Sequence, residues 1–121
     1  MENNVRAHQR FIPKKNAFAA LGRGITLVGK ISDISKGGLA FEHIWDIEDR
    51  EEHYDVVDIF LPGNEFYLAD IPCAKVYDIP IQKGSVFSPS LITKRCGIKF
   101  TFLTDAQIEQ LEDFLRLHTI A

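Results

Sequence analysis

The stretch ITLVGKISDISKGGLAFEHI, residues 25–44, decides how the chain is read. Its first half is rich in β-branched and aliphatic residues, with Ile25, Leu27 and Ile31 in alternation, so it predicts a strand over 25–35. Lys36, Gly37 and Gly38 then supply turn chemistry, and LAFEHI (39–44) returns as a second apolar run. A strand, a tight glycine turn and a returning strand make a hairpin. The fold therefore has antiparallel sheet at its centre.

The same signals recur outward from this hairpin. AFAAL (17–21) precedes it as a short strand, and VVDIFLP (56–62) follows as another. Pro62, Gly63 and Asn64 turn the chain into EFYLADIPCAKVYDI (65–79), a long strand kinked near Pro72. IQKGSVFSPS (81–90) reads as a loop, and LITKRCGIKFTFL (91–103) as the last strand, with Ile98, Phe100 and Phe102 on one face. The period then changes. Thr104 and Gln107 match a capping box, Leu103 is placed to staple onto Ile108, and Ile108, Leu111, Phe114 and Leu115 form an apolar stripe, so 105–118 is expected to be a helix that covers one end or face of the sheet. Six strands and one terminal helix predict a mainly β protein: a small antiparallel barrel, whose closure protects the strand edges.

A length of 121 residues suits one domain, and an apolar content of 45% suffices for a core without staples. No run approaches the roughly 20 apolar residues that span a bilayer, and MENNVRAHQRF lacks the apolar segment of a secretion signal, so a cytoplasmic location without membrane insertion is expected. Cys73 and Cys96 have neither metal-type nor redox-type spacing and are expected as reduced, buried thiols. The four histidines show no metal-binding pattern, and no metal or cofactor is assigned. WDIEDREEHYD (45–55) carries six acidic residues but no calcium-loop spacing, and is expected as a solvated loop. Trp45, at its start, is expected to pack at a barrel end. No nucleophile–histidine motif, P-loop or GxGxxG is present, so the chain is not expected to be an enzyme.

Charge is distributed unevenly. Residues 1–36 hold seven Lys or Arg against Glu2 and Asp33, whereas residues 37–121 hold seven against fifteen acidic residues. A basic front on an acidic body is poorly suited to coating a long polyanion, and no nucleic-acid polymer is expected as a partner. It suits a small anionic ligand better. The first sixteen residues are polar and aperiodic and read as a flexible arm, 1–16, leading into a domain over 17–121.

Two local patterns carry the candidate chemistry. In the arm, Arg6 and Arg10 form an RxxxR pair of planar guanidinium forks, matched to phosphate oxygens or to the O6 and N7 edge of guanine. At the end of the first hairpin strand, Asp33, Ser35 and Gly38 form DxSxxG. On an extended chain Asp33 and Ser35 point the same way, offering acceptors and a hydroxyl to a flat polar ligand, while Gly38 allows close approach. Taken separately each is better read blandly, as a solvated tail and as a turn whose Asp and Ser cap backbone NH groups.

Taken together, the two motifs resemble the PilZ domain, the bacterial receptor module for cyclic di-GMP. Phe11 after the second arginine, the run from Asp33 to Phe41, the Cys96-Gly97-Ile98-Lys99-Phe100 strand and the terminal helix extend the resemblance over the chain. It implies a six-stranded PilZ barrel with a C-terminal helix. It also implies that Arg6 and Arg10 clamp the ligand from the arm, and that Asp33, Ser35 and Gly38 meet a guanine. Val5, rather than an arginine, before Arg6 implies one ligand per chain. His8, Gln9, Lys14, Lys15 and Lys36 are read as solvated. The expected mechanism is ordering of the arm by ligand, which presents a surface to an unidentified downstream protein. A PilZ-like docking module that binds no nucleotide ranks second, and a small barrel for single-stranded nucleic acid third.

Overall fold

The glycine hairpin forms where its residues place it, and the rest of the barrel grows from both sides of it. The structure is a computed structural model and describes residues 8–22, 27–47, 54–82, 84 and 86–120. In chain order the elements are β1 (Ile12–Pro13), β2 (Phe18–Leu21), β3 (Leu27–Ile34), β4 (Gly38–Asp46) and β5 (Val56–Leu61). A 3-10 turn, Pro62–Asn64, leads to β6 (Phe66–Gln82), β7 (Leu91–Phe100), α1 (Asp105–His118) and β8 (Thr119–Ile120).

Six strands close into a barrel in the order β2-β3-β4-β7-β6-β5, and every pairing is antiparallel. Closure leaves the interior to alternate side chains, and the fully buried ones are large: Ile34, Leu39, Phe41, Ile59 and Ile71. Helix α1 caps this core with Leu111, Phe114 and Leu115, and Phe66 packs on Phe114 with ring centroids 5.0 Å apart. The helix starts through both arms of the expected capping box: Thr104 Oγ1 accepts from the Gln107 backbone NH at 3.1 Å, and Gln107 Oε1 accepts from the Thr104 NH at 3.0 Å. Ile108, the first residue of the expected stripe, lies at its edge and is 40% exposed.

Three elements differ in extent from the sequence expectation, each for a reason of pairing. Strand β4 continues through Trp45 to Asp46 because β7 supplies partners as far as Leu91. Strand β6 runs to Gln82 because β7 holds it that far, so the connection is shorter than the expected 81–90 loop. Strand β7 stops at Phe100, whose NH is taken by the Gly37 carbonyl at 2.8 Å, and Phe102 lies beyond it, 63% exposed rather than on a shared face with Ile98.

Strands β1 and β8 have no counterpart in the sequence reading. The pair is only two residues long, Ile12 opposite Ile120 and Pro13 opposite Thr119, which is too short to show a period. Cys73 and Cys96 are both free and buried. Burial pushes their thiols up, to about 11 and about 12 respectively. Among the described residues no helix is long and apolar enough to cross a membrane. Among the same residues no group of three or more His, Cys, Asp or Glu is placed to hold a metal ion.

Candidate functional site

The bend that makes the site lies in β3. Ile31 pairs with Phe41 and faces the core, and strict alternation would send Asp33 inward with it. A register shift between Ile31 and Asp33 inserts Ser32 as an extra residue, so Asp33 pairs with Ala40 while Ile34 and Leu39 both return to the core. The bulge thus turns a carboxylate outward that would otherwise be buried.

Arg10 meets that carboxylate. Phe11 is bridged to Ile34 through two hydrogen bonds, Phe11 NH to the Ile34 carbonyl at 2.8 Å and Ile34 NH to the Phe11 carbonyl at 2.9 Å, and its ring packs against the core. The residue just before this anchor is therefore held against the end of β3. Arg10 donates from Nε to Asp33 Oδ1 at 2.6 Å, and its Nη2 contacts the same oxygen. Both side chains are partly buried, at 24% and 30% exposure. A charge-assisted, two-donor contact in that setting orders both groups more than a fully solvated pair would. Arg6, the other member of RxxxR, and Val5 lie outside the described residues.

Ser35 is placed differently from Asp33. It is 3% exposed, and its hydroxyl works inside the turn: it donates to the Gly38 carbonyl at 3.3 Å and accepts from the Gly37 NH at 3.2 Å. The expectation that its hydroxyl stands beside the Asp33 carboxylate does not describe this geometry, because Ser35 already lies past the strand, in the turn. Gly38 is compelled by packing. A Cβ there would sit 2.2 Å from the Ile98 carbonyl oxygen and 3.0 Å from Lys99 Cα, so the β4–β7 pair closes only on a glycine. Gly37 lies under the His8 ring, where a Cβ would be 2.7 Å from Cδ2.

Charged groups surround this end of the barrel. Arg95 donates from Nη2 to Glu42 at 2.8 Å, and this hydrogen bond holds its guanidinium above the ordinary range. Lys36 pairs with Glu112 of α1 at 3.5 Å, and Lys15 with Glu65 at 3.3 Å. Alongside β3 a cleft of about 330 Å³ is lined by Lys14, Lys15, Lys30, Ser32 and Glu42. Its lining lysines outnumber its one carboxylate, with Lys15 paired to Glu65 and Glu42 to Arg95.

The family model for the PilZ domain matches residues 4–117 of this chain. The chain belongs to the PilZ domain family. The fold is shared with solved PilZ structures. Against "PilZ domain with c-di-GMP of YcgR from Escherichia coli" the TM-score is 0.65 at 12% identity, covering 93% of this chain and 90% of that one. Against the crystal structure of YcgR in complex with c-di-GMP, also from Escherichia coli, the TM-score is 0.64 at 14% identity. The match covers 93% of this chain and 45% of that one, so this PilZ domain spans less than half of the longer protein. No curated protein matches the chain.

Within the PilZ barrel, the structure brings Arg10, Asp33 and the Ser35–Gly38 turn to one rim. Sequence reasoning did not single out the neighbours of Asp33 across the sheet: Ala40 on β4 and Gly97 on β7, both buried, and Tyr77 on β6. One signal was available, a glycine in the middle of the predicted last strand, which marks close approach by another group. That group is Tyr77, whose ring atom Cε2 would lie 2.2 Å from a Cβ at Gly97.

Proposed function

We propose that this PilZ domain is a receptor for cyclic di-GMP, and that it binds rather than transforms its ligand. The observation that carries the reading is the junction of Arg10 with Asp33, 23 residues apart in sequence and brought into direct contact at the barrel rim. A doubly anionic dinucleotide needs guanidinium donors, and a guanine needs an acceptor for its N1 and N2 protons. Both stand side by side here, in a fold that solved relatives share in complex with that nucleotide.

In this reading Arg6 and Arg10 clamp phosphates and guanine edges from the N-terminal segment. Asp33 accepts from the base, Ser35 holds the turn by its internal hydrogen bonds, and Gly38 keeps β7 close beneath it. Ligand entry exchanges the Arg10–Asp33 contact for contacts of both groups with the nucleotide, so binding reorganises the arm ahead of Phe11, and one ligand binds per chain. The rearranged arm offers a downstream protein in the cytoplasm a surface that the empty receptor lacks. Its coupling is limited by that protein's differential affinity for the two arm states.

Calorimetric titration of the purified chain with cyclic di-GMP, with GTP and cyclic AMP as controls, tests this directly. Saturable heat is expected for cyclic di-GMP alone. Arg10→Ala and Asp33→Ala should each lose about 1.5–3 kcal/mol, roughly ten- to a hundredfold in affinity, while each variant still melts cooperatively. Absence of heat in the wild-type chain would leave the docking-module reading in its place. Unchanged affinity in both variants would move the site elsewhere.

A further inference from the structure

The segment that follows Arg10 is held on both of its edges. Phe11 exchanges backbone hydrogen bonds with Ile34 of β3. The next residues face the other way: Ile12 is opposite Ile120 and Pro13 opposite Thr119 of β8, and Lys14 NH donates to the His118 carbonyl at 2.8 Å. Successive residues of an extended chain send their backbone groups to opposite edges, which lets four residues join β3 to the segment after α1. The register also accounts for Pro13. With Lys14 bonded to His118, the Pro13–Thr119 pair is a non-hydrogen-bonded one, where the missing NH costs nothing, and Ile12–Ile120 is the next bonded pair.

Strand β8 is itself fixed. Thr119 is the extended C-cap of α1, is buried, and donates from Oγ1 to the Leu115 carbonyl in the last helical turn. The helix is seated on the core through Leu111, Phe114 and Leu115. A support therefore runs from the barrel core through α1 and β8 to Ile12, two residues after Arg10. A strand held by one bridge can pivot about it, whereas a second anchor on the opposite edge, one residue on, removes that freedom. Ile12 and Ile120 are both more than half exposed, so their pairing buries little apolar surface and contributes little to global stability. What it fixes is the direction in which the chain leaves Phe11 toward Arg10.

We infer that the β1–β8 ribbon is part of the ligand clamp, and that Ile120 is a positioning residue, acting through Ile12 to hold the root of the arm so that Arg10 is presented at Asp33. The inference rests on the receptor reading above and adds a requirement on the far side of the helix. Fixing the root before ligand arrives removes part of the ordering cost of binding. By reciprocity, ligand held by Arg10 tightens the Ile12–Ile120 pair by the same factor with which that pair tightens the ligand.

The test substitutes Ile120. Ile120→Pro removes the NH of the bonded pair, and because Thr119 is already extended (φ -130°, ψ 162°), the residue before the new proline keeps its conformation and the end of α1 is undisturbed. Ile120→Val keeps both the NH and a branched side chain. Cyclic di-GMP is titrated by calorimetry into the full chain and both variants well below their melting temperatures, where a loss of global stability alone leaves affinity unchanged. Hydrogen exchange of the wild-type Ile120 amide is followed by NMR, free and saturated. Ile120→Pro should bind roughly tenfold more weakly, and Ile120→Val within about twofold of wild type. Saturating ligand should slow exchange at Ile120 by roughly the same tenfold factor. Equal affinity in Ile120→Pro, an equal loss in Ile120→Val, or unchanged exchange at Ile120 would overturn the inference while leaving the receptor intact. No heat in the wild type would overturn both. If Ile120→Pro does not melt cooperatively, the wild-type Ile120 amide decides alone.

Discussion

Gly38→Ala is the substitution whose outcome the structure fixes most tightly. The added Cβ would stand 2.2 Å from the Ile98 carbonyl oxygen, about 1 Å inside any contact a real Cβ makes, and the obstruction is backbone rather than a side chain that rotates away. Strand β7 must therefore retreat from β4. The first casualty is the hydrogen bond from Phe100 NH to the Gly37 carbonyl, 2.8 Å long, together with the tight seat of Ile98 in the core. Overpacking of this kind costs about 1–3 kcal/mol, and one or two weakened backbone hydrogen bonds add about 1 kcal/mol each. Alanine recovers about 0.5–1 kcal/mol by restricting the unfolded chain. The net loss is about 2–3 kcal/mol.

For a chain of 121 residues, an unfolding entropy of about 2.1 cal/mol/K per residue converts that loss into a fall in Tm of roughly 10 °C. Gly37→Ala is the matched control. Its Cβ meets only the exposed His8 ring, which can swing aside, so its Tm should fall by no more than about 4 °C. Thermal melts followed by circular dichroism measure both. Gly38→Ala melting within about 3 °C of wild type, or Gly37→Ala melting as low as Gly38→Ala, would refute the packing argument. The result also bears on ligand binding, because a Gly38 variant with reduced affinity then reports a displaced strand and not a lost ligand contact.

Four further outcomes follow from the same structure. Asp78→Ala strips the partner from Lys94, at 3.2 Å, and from the buried His43, at 3.1 Å, and should lower stability by about 3 kcal/mol in urea denaturation; a loss below about 0.5 kcal/mol would show that the network contributes nothing. Thr104→Ala removes the cap of α1 and should cost about 1 kcal/mol, read as a Tm fall of roughly 4 °C, whereas Thr104→Ser should retain most of it. Cys73 and Cys96, buried and shifted up from an ordinary 9.0, should stay unreactive toward a thiol reagent at pH 8 until the chain is unfolded. Because the native thiols keep their protons to higher pH than the unfolded ones, their contribution to stability should decline as pH rises from about 9, through about 11 for Cys73 and about 12 for Cys96.

Features legible in the sequence are those whose cause lies within a few residues. The Gly37–Gly38 turn and the Thr104–Gln107 box are set by atoms adjacent along the chain, and both form as expected. Alternation located the barrel strands, since burial of one face writes a two-residue period into each. Through the resemblance to PilZ domains, the RxxxR and DxSxxG motifs placed Arg10 and Asp33 in one candidate site, and these two residues are in contact. What alternation cannot show is a place where it breaks. The bulge at Ser32 reverses the side on which Asp33 emerges, and nothing in KISDIS marks it. Ser35 was read by the same alternation and instead closes its own turn.

The order of apolar and polar residues along this chain was enough to specify strands, turns, the capped helix and the identity of the charged groups at hand, because each depends on local backbone preference and on the solvent side of a single element. Which of those groups meet was decided only by closure of the barrel. Registers between β3, β4, β7 and β6, set by core packing and bulges, bring Arg10 to Asp33 and lay Tyr77 across Gly97. Such pairings depend on how distant strands slide past one another to fill a shared interior, and that interior exists only in the folded state.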